Sequence, residues 1–221
     1  MPRRLLTLPT LAAAICLATV VNERAVAQQS ASPWVRFFLQ PSVALAQLEE
    51  VQQDLKLTEE QQKEVRAIND QLNDDRMSVF QDSSGDRQKM REGIAKLHRE
   101  ATEEFNKQLD EAQRKRAAEI YVQVNGPMVL QDEAVVEELE LTDEQQEQLD
   151  QARDEIRNQF FNAGLRDLSD EEREEKVNEL LEDRDEKLLA VLTEKQREAL
   201  KAMKGEPLEV DLSKMPMPGR G

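Results

Sequence analysis

This 221-residue sequence predicts an all-α protein of tandem helical hairpins, on three observations. A six-residue phrase, LTEEQQ at residues 57–62, returns as LTDEQQ at 141–146 and, loosened, as LTEKQR at 192–197. The apolar residues that follow each phrase recur at helical spacing and nowhere alternate with period two. Charged residues make up 34% of the chain and aromatics only 4%, a composition that suits long amphipathic helices around thin cores.

The elements can be read in order. Arg3 and Arg4 precede an apolar run at residues 5–21 and the small-residue site Ala25-Val26-Ala27, so residues 1–27 are expected to be a cleaved signal peptide. Pro9 interrupts a run already short for a membrane span, so no membrane insertion is expected after cleavage. The single cysteine, Cys16, would leave with the signal, and the remaining chain offers an oxidising compartment no thiol chemistry. Residues 28–41 form an aromatic arm. Its Trp34, Phe37 and Phe38 serve either as a sticky contact for a partner or as the cover of an open end of the helical stack.

Aligning VQQDLKLTEEQQ (51–62) with VVEELELTDEQQ (135–146) gives seven identities in twelve positions at an offset of 84. With one deletion the correspondence continues, placing Ile94, Leu97, Phe105 and Leu109 on Val177, Leu180, Leu188 and Leu192, and LDEAQR (109–114) on the third phrase. The chain therefore reads as a duplication, with units at residues 42–125 and 133–204 separated by Asn125-Gly126-Pro127. Within the phrase, Thr58 or Thr142 caps a helix and Gln61 or Gln145 reaches back to the cap, which is a capping box. The acidic residues between them suit the positive end of a helix. Ser169 with Glu172 repeats the device. Val65, Ile68, Leu72 and Val79 then mark one long helix, and Met90, Ile94, Leu97, Ala101 and Phe105 the next. Each unit is expected to hold a short helix, two long helices paired as a hairpin, and a short closing helix. The last stretch, residues 205–221, has three prolines and three glycines and is expected to be a flexible tail.

Charge and residue inventory exclude several functions. Removing the three basic and one acidic residue of the signal from totals of 30 and 46 leaves 27 and 45, a net charge of −18, so nucleic acid is not an expected partner. One histidine, His98, cannot supply a catalytic triad or a histidine metal site, and no phosphate loop or nucleophile elbow is present. No catalytic residue, metal ligand or cofactor is expected, and the chain is not read as an enzyme.

The L-T-x-x-Q phrases, carried by Leu57, Thr58 and Gln61, by Leu141, Thr142 and Gln145, and by Leu192, Thr193 and Gln196, behind a signal sequence in a charge-rich helical body, resemble the Spy/CpxP family of bacterial envelope proteins, the LTXXQ-motif family. The resemblance covers both units. It implies a periplasmic, ATP-independent stress-response chaperone that binds unfolded or aggregation-prone proteins, commonly as a homodimer of thin, curved helical hairpins. It also admits a dedicated adaptor that restrains a sensor domain and, more remotely, a metal-responsive protein that uses carboxylates. The chain departs from the family in its acidity and in its duplicated hairpins, which let one chain supply what two subunits supply elsewhere.

Charge is uneven, and this points to a client surface. Residues 49–125 hold 18 acidic and 13 basic residues, whereas residues 133–204 hold 23 and 11. In the first unit Arg87, Lys89, Arg91, Lys96 and Arg99 surround Met90, Ile94 and Leu97, which makes this mixed basic and apolar helix the candidate contact for clients.

Overall fold

The computed structural model describes residues 39–215, and every regular element among them is helical. A short α1, Ser42–Leu45, and α2, Glu49–Asp54, lead into two long helices, α3 (Glu59–Asp82) and α4 (Arg87–Gln108), and α5 (Glu111–Asn125) closes the first unit. A 3-10 turn, Gly126–Gln131, carries the chain into α6 (Glu133–Glu138), α7 (Asp143–Asn162), α8 (Asp170–Ala190) and α9 (Glu194–Ala202), which follow in the same order. The all-α class expected from the sequence is what the described residues adopt. The proposed signal peptide and the aromatics Trp34, Phe37 and Phe38 lie outside the described residues.

The long helices pair because their apolar stripes need a partner. Helices α3 and α4 pack antiparallel, so that Arg76 meets His98 and Gly93 lies against Val79. A Cβ on Gly93 would stand 2.7 Å from a Val79 methyl, so the close approach of the two helices depends on that glycine. The first core gathers Val43 and Leu45 of α1, Val65 and Leu72 of α3, Phe105 of α4 and Ile120 of α5. A second core joins Val129 of the 3-10 turn with Leu149, Leu188 and Leu200, and a smaller third, Phe160, Leu165, Val177 and Leu181, fills the far end of the α7–α8 pair. Burial of each such aliphatic side chain contributes about 1.5–3 kcal/mol.

The tail is a correction. Residues 205–215, expected to be flexible from their glycine and proline content, pack on the first unit, where Val210, Leu212 and Met215 join its core. The physical reason is a short period-two alternation, contrary to the expectation that none occurs: Leu208, Val210 and Leu212 turn inward while Glu209 stays exposed. That apolar burial, with hydrogen bonds to Gln123 and Glu50, outweighs the entropy of ordering a short segment.

Candidate functional site

The repeated phrase does three jobs in six residues. Leu57 ends the preceding helix: its N–H donates to the Gln52 carbonyl at 3.0 Å and the Lys56 N–H donates to the Gln53 carbonyl at 3.1 Å, the paired hydrogen bonds of a Schellman motif, with Lys56 left-handed at φ 53°. Leu141 and Glu140 repeat this geometry. Thr58 then caps α3, accepting from the Gln61 N–H at 3.2 Å, while Gln61 Oε1 accepts from the Thr58 N–H at 2.9 Å. Complete capping boxes also form at Asp110 with Gln113, Thr142 with Gln145, Ser169 with Glu172, and Thr193 with Gln196.

The third job was not legible in the sequence. Gln61 Nε2 donates to Gln113 Oε1 at 2.8 Å and to the Gln108 carbonyl at 2.7 Å, while Gln113 Nε2 donates to the Leu55 carbonyl at 3.1 Å. The second unit reproduces the exchange, with Gln145 bonded to Gln196 at 2.8 Å and to Val191, and Gln196 to Leu139. Each glutamine thus holds its own helix start and clasps the start of another helix. Leu57, Leu109, Leu141 and Leu192, which precede the caps Thr58, Asp110, Thr142 and Thr193, are all buried. These nine motif residues are therefore framework, and they hold the long helices at fixed ends.

The candidate client residues lie on α4. Leu97 packs against the first core, and Met90 and Ile94 are half-buried along the line facing α3. Lys89, Arg91, Lys96 and Arg99 are exposed; Lys89 donates to the Asp82 carbonyl across the hairpin turn and Lys96 pairs with Glu100 at 3.6 Å. Of Arg87 only its place at the start of α4 is described. The apolar and basic residues thus occupy different sides of the helix, the first set turned toward its partner and the second toward solvent.

Two features of the first hairpin are not legible in the sequence. Met77 and Phe80, near the end of α3, are 55% and 67% exposed, although helical spacing alone offers no reason to leave Phe80 uncovered. Between α3 and α4 a groove of about 390 Å³ is floored by Ala67, Ile68, Leu72, Leu97 and Ala101 and rimmed by Asp75, Glu100 and Glu104. Arg184, buried in α8, stands where the alignment puts Ala101, so the second unit fills the equivalent position with a long side chain.

Farther along the same hairpin, Arg76 Nη2 approaches His98 Nε2 at 2.5 Å with Asn73 as its other partner. Burial, reinforced by the Arg76 charge, lowers His98 to about 4, so its ring is neutral at pH 7 and accepts from the guanidinium. Among the described residues no group of three or more His, Cys, Asp or Glu side chains is placed to hold a metal, and no helix is long and apolar enough to cross a membrane. No family model, curated protein or solved structure matches the chain.

Proposed function

We propose that this protein is an exported, ATP-independent binder of unfolded or aggregation-prone proteins, of the Spy/CpxP type, which acts in the periplasm and uses the first hairpin as its principal contact. The observation that carries this reading is the exposure of Met77 and Phe80 on a hairpin whose Met90, Ile94 and Leu97 are only half covered. Large apolar side chains left in water on a thin helical layer favour contact with other apolar surface, and methionine adapts to varied shapes. The apolar groove between α3 and α4 gives the same hairpin a second apolar patch, and exposed charge on both helices keeps it soluble.

Light scattering of chemically denatured clients, diluted with and without the protein and without ATP, tests the proposal. Suppression of aggregation for several unrelated clients at near-stoichiometric ratios is the expected result, and Met77→Ser with Phe80→Ser should weaken it while leaving the helical signal intact. Capture of one folded sensor domain without general suppression would favour the adaptor instead. No suppression of any client rejects the chaperone reading.

A further inference from the structure

The docked segment 206–215 is held through its backbone as well as by its buried apolar side chains. Gln123 on α5 grips Leu208 on both sides: the Leu208 N–H donates to Gln123 Oε1 at 3.1 Å, and Gln123 Nε2 donates to the Leu208 carbonyl. Arg116 donates to the Glu206 carbonyl at 2.8 Å, and Glu50 on α2 accepts from the Asp211 N–H at 2.8 Å. Between these contacts the apolar side chains enter alternately, with Val210 and Leu212 only 3% and 4% exposed. Main-chain hydrogen bonds with pockets for every second side chain are how proteins bind extended peptides of varied sequence.

The repeat comparison isolates this surface. The alignment places Ala134 opposite Glu50 and Ala199 opposite Arg116, and α9 ends at Ala202, before the position that would match Gln123. The holding groups therefore belong to the first unit alone. Gly205, at φ 60°, sits so close to Glu119 that a Cβ would meet its carboxylate at 2.1 Å, and the chain turns there onto α5.

We propose that the face formed by α2 and α5 is a binding site for extended apolar segments of unfolded proteins, occupied in cis by residues 206–215. This rests on the client-binding reading above and supplies it with a site and a ligand class: a chain with apolar residues at alternate positions and free backbone N–H and carbonyl groups. A tethered occupant competes at an effective concentration on the order of millimolar, so a client gains the site only by displacing it.

Two measurements test this on the full chain. A fluorescein-labelled peptide of residues 205–215, followed by anisotropy, should bind the Val210→Ser, Leu212→Ser variant about tenfold or more tighter than the parent, because the cis occupant is released. Adding Gln123→Ala should remove that gain. A helical variant that shows no gain, or a gain that survives Gln123→Ala, overturns the site. The second measurement does not depend on how that variant folds. When the parent protein is saturated with an unfolded client, the Leu208 and Asp211 amides should exchange hydrogen severalfold faster. Unchanged exchange with the client demonstrably bound overturns the site and leaves client binding standing. If the parent binds no client, client binding itself is rejected, and the peptide result decides the site.

Discussion

At the scale of single residues, the glutamine of each phrase carries more than the threonine. Thr58 satisfies one helix-start N–H, and its replacement by alanine should cost about 1 kcal/mol. Gln61 accepts from the Thr58 N–H and donates to both Gln108 and Gln113, so Gln61→Ala should cost about 2–3 kcal/mol at about 1 kcal/mol per net hydrogen bond. The double change Gln61→Ala, Gln113→Ala should cost less than the sum of the singles by about 0.5 kcal/mol or more, because the two side chains share one bond. Urea unfolding of the parent, the three single variants and the double checks these claims; strict additivity would show that the clasp contributes nothing of its own. The capping box was legible in the sequence because its partners stand three residues apart. The clasp was not, because its partners stand 52 apart and only packing of the long helices brings them together.

At the scale of elements, the two hairpins differ most in their distal halves. The alignment places Phe160 and Leu181, buried together in the third core, on Arg76 and His98. Periodicity predicted both hairpins alike, since Val79, Met90 and Ile94 keep the stripe going; it could not show that two polar residues interrupt the first hairpin from the inside. The pair makes the first hairpin acid-sensitive. His98 has a folded value of about 4, below its ordinary 6.5, so the unfolded chain binds the extra proton between these values and stability falls as pH drops from about 6.5 to about 4, then levels off. Replacing the pair with Arg76→Phe and His98→Leu should abolish that loss and raise stability at pH 7, since a half-buried cation without a carboxylate partner gives way to apolar contact. Thermal melts from pH 7 to pH 4 measure it; an unchanged pH dependence would place the acid sensitivity elsewhere. Nearer the turn, Gly93→Ala should destabilise by about 1–3 kcal/mol through overpacking on Val79, and Val79→Ala in the same chain should restore part of the loss. Chemical denaturation of the two singles and the double resolves the coupling.

At the scale of the whole molecule, the question is whether two similar units unfold as one. The sequence marks the boundary with Asn125-Gly126-Pro127, which suggests a linker, yet Pro127, Val129 and Leu130 are buried and the turn they form packs on α5, α6 and α8. Tyr121 packs on both the first and the second core, and its hydroxyl donates to the Asp132 carboxylate at the start of α6. Burial raises Asp132 above the usual carboxylate range, opposed by the tyrosine hydrogen bond and by the charge of Arg153. These residues tie the units across the boundary by apolar contact and by a polar pair that neither unit completes alone. Tyr121→Phe keeps the ring but leaves the half-buried Asp132 without its donor, so it should cost about 1–3 kcal/mol while the protein still melts in one transition. Tyr121→Ala removes the ring as well and should cost about 3–5 kcal/mol by the scale of aromatic-to-alanine changes in cores. More tellingly, it should separate the units, so that the calorimetric enthalpy exceeds the van't Hoff enthalpy or two peaks appear, because among the described residues Tyr121 is the one hydrophobic side chain packed against both cores. Differential scanning calorimetry of the three proteins decides between the outcomes. A single two-state transition in Tyr121→Ala would mean that the 3-10 turn and Val122 of α5, which is buried in the second core, suffice to couple the halves and that the Tyr121–Asp132 contact contributes only local stability.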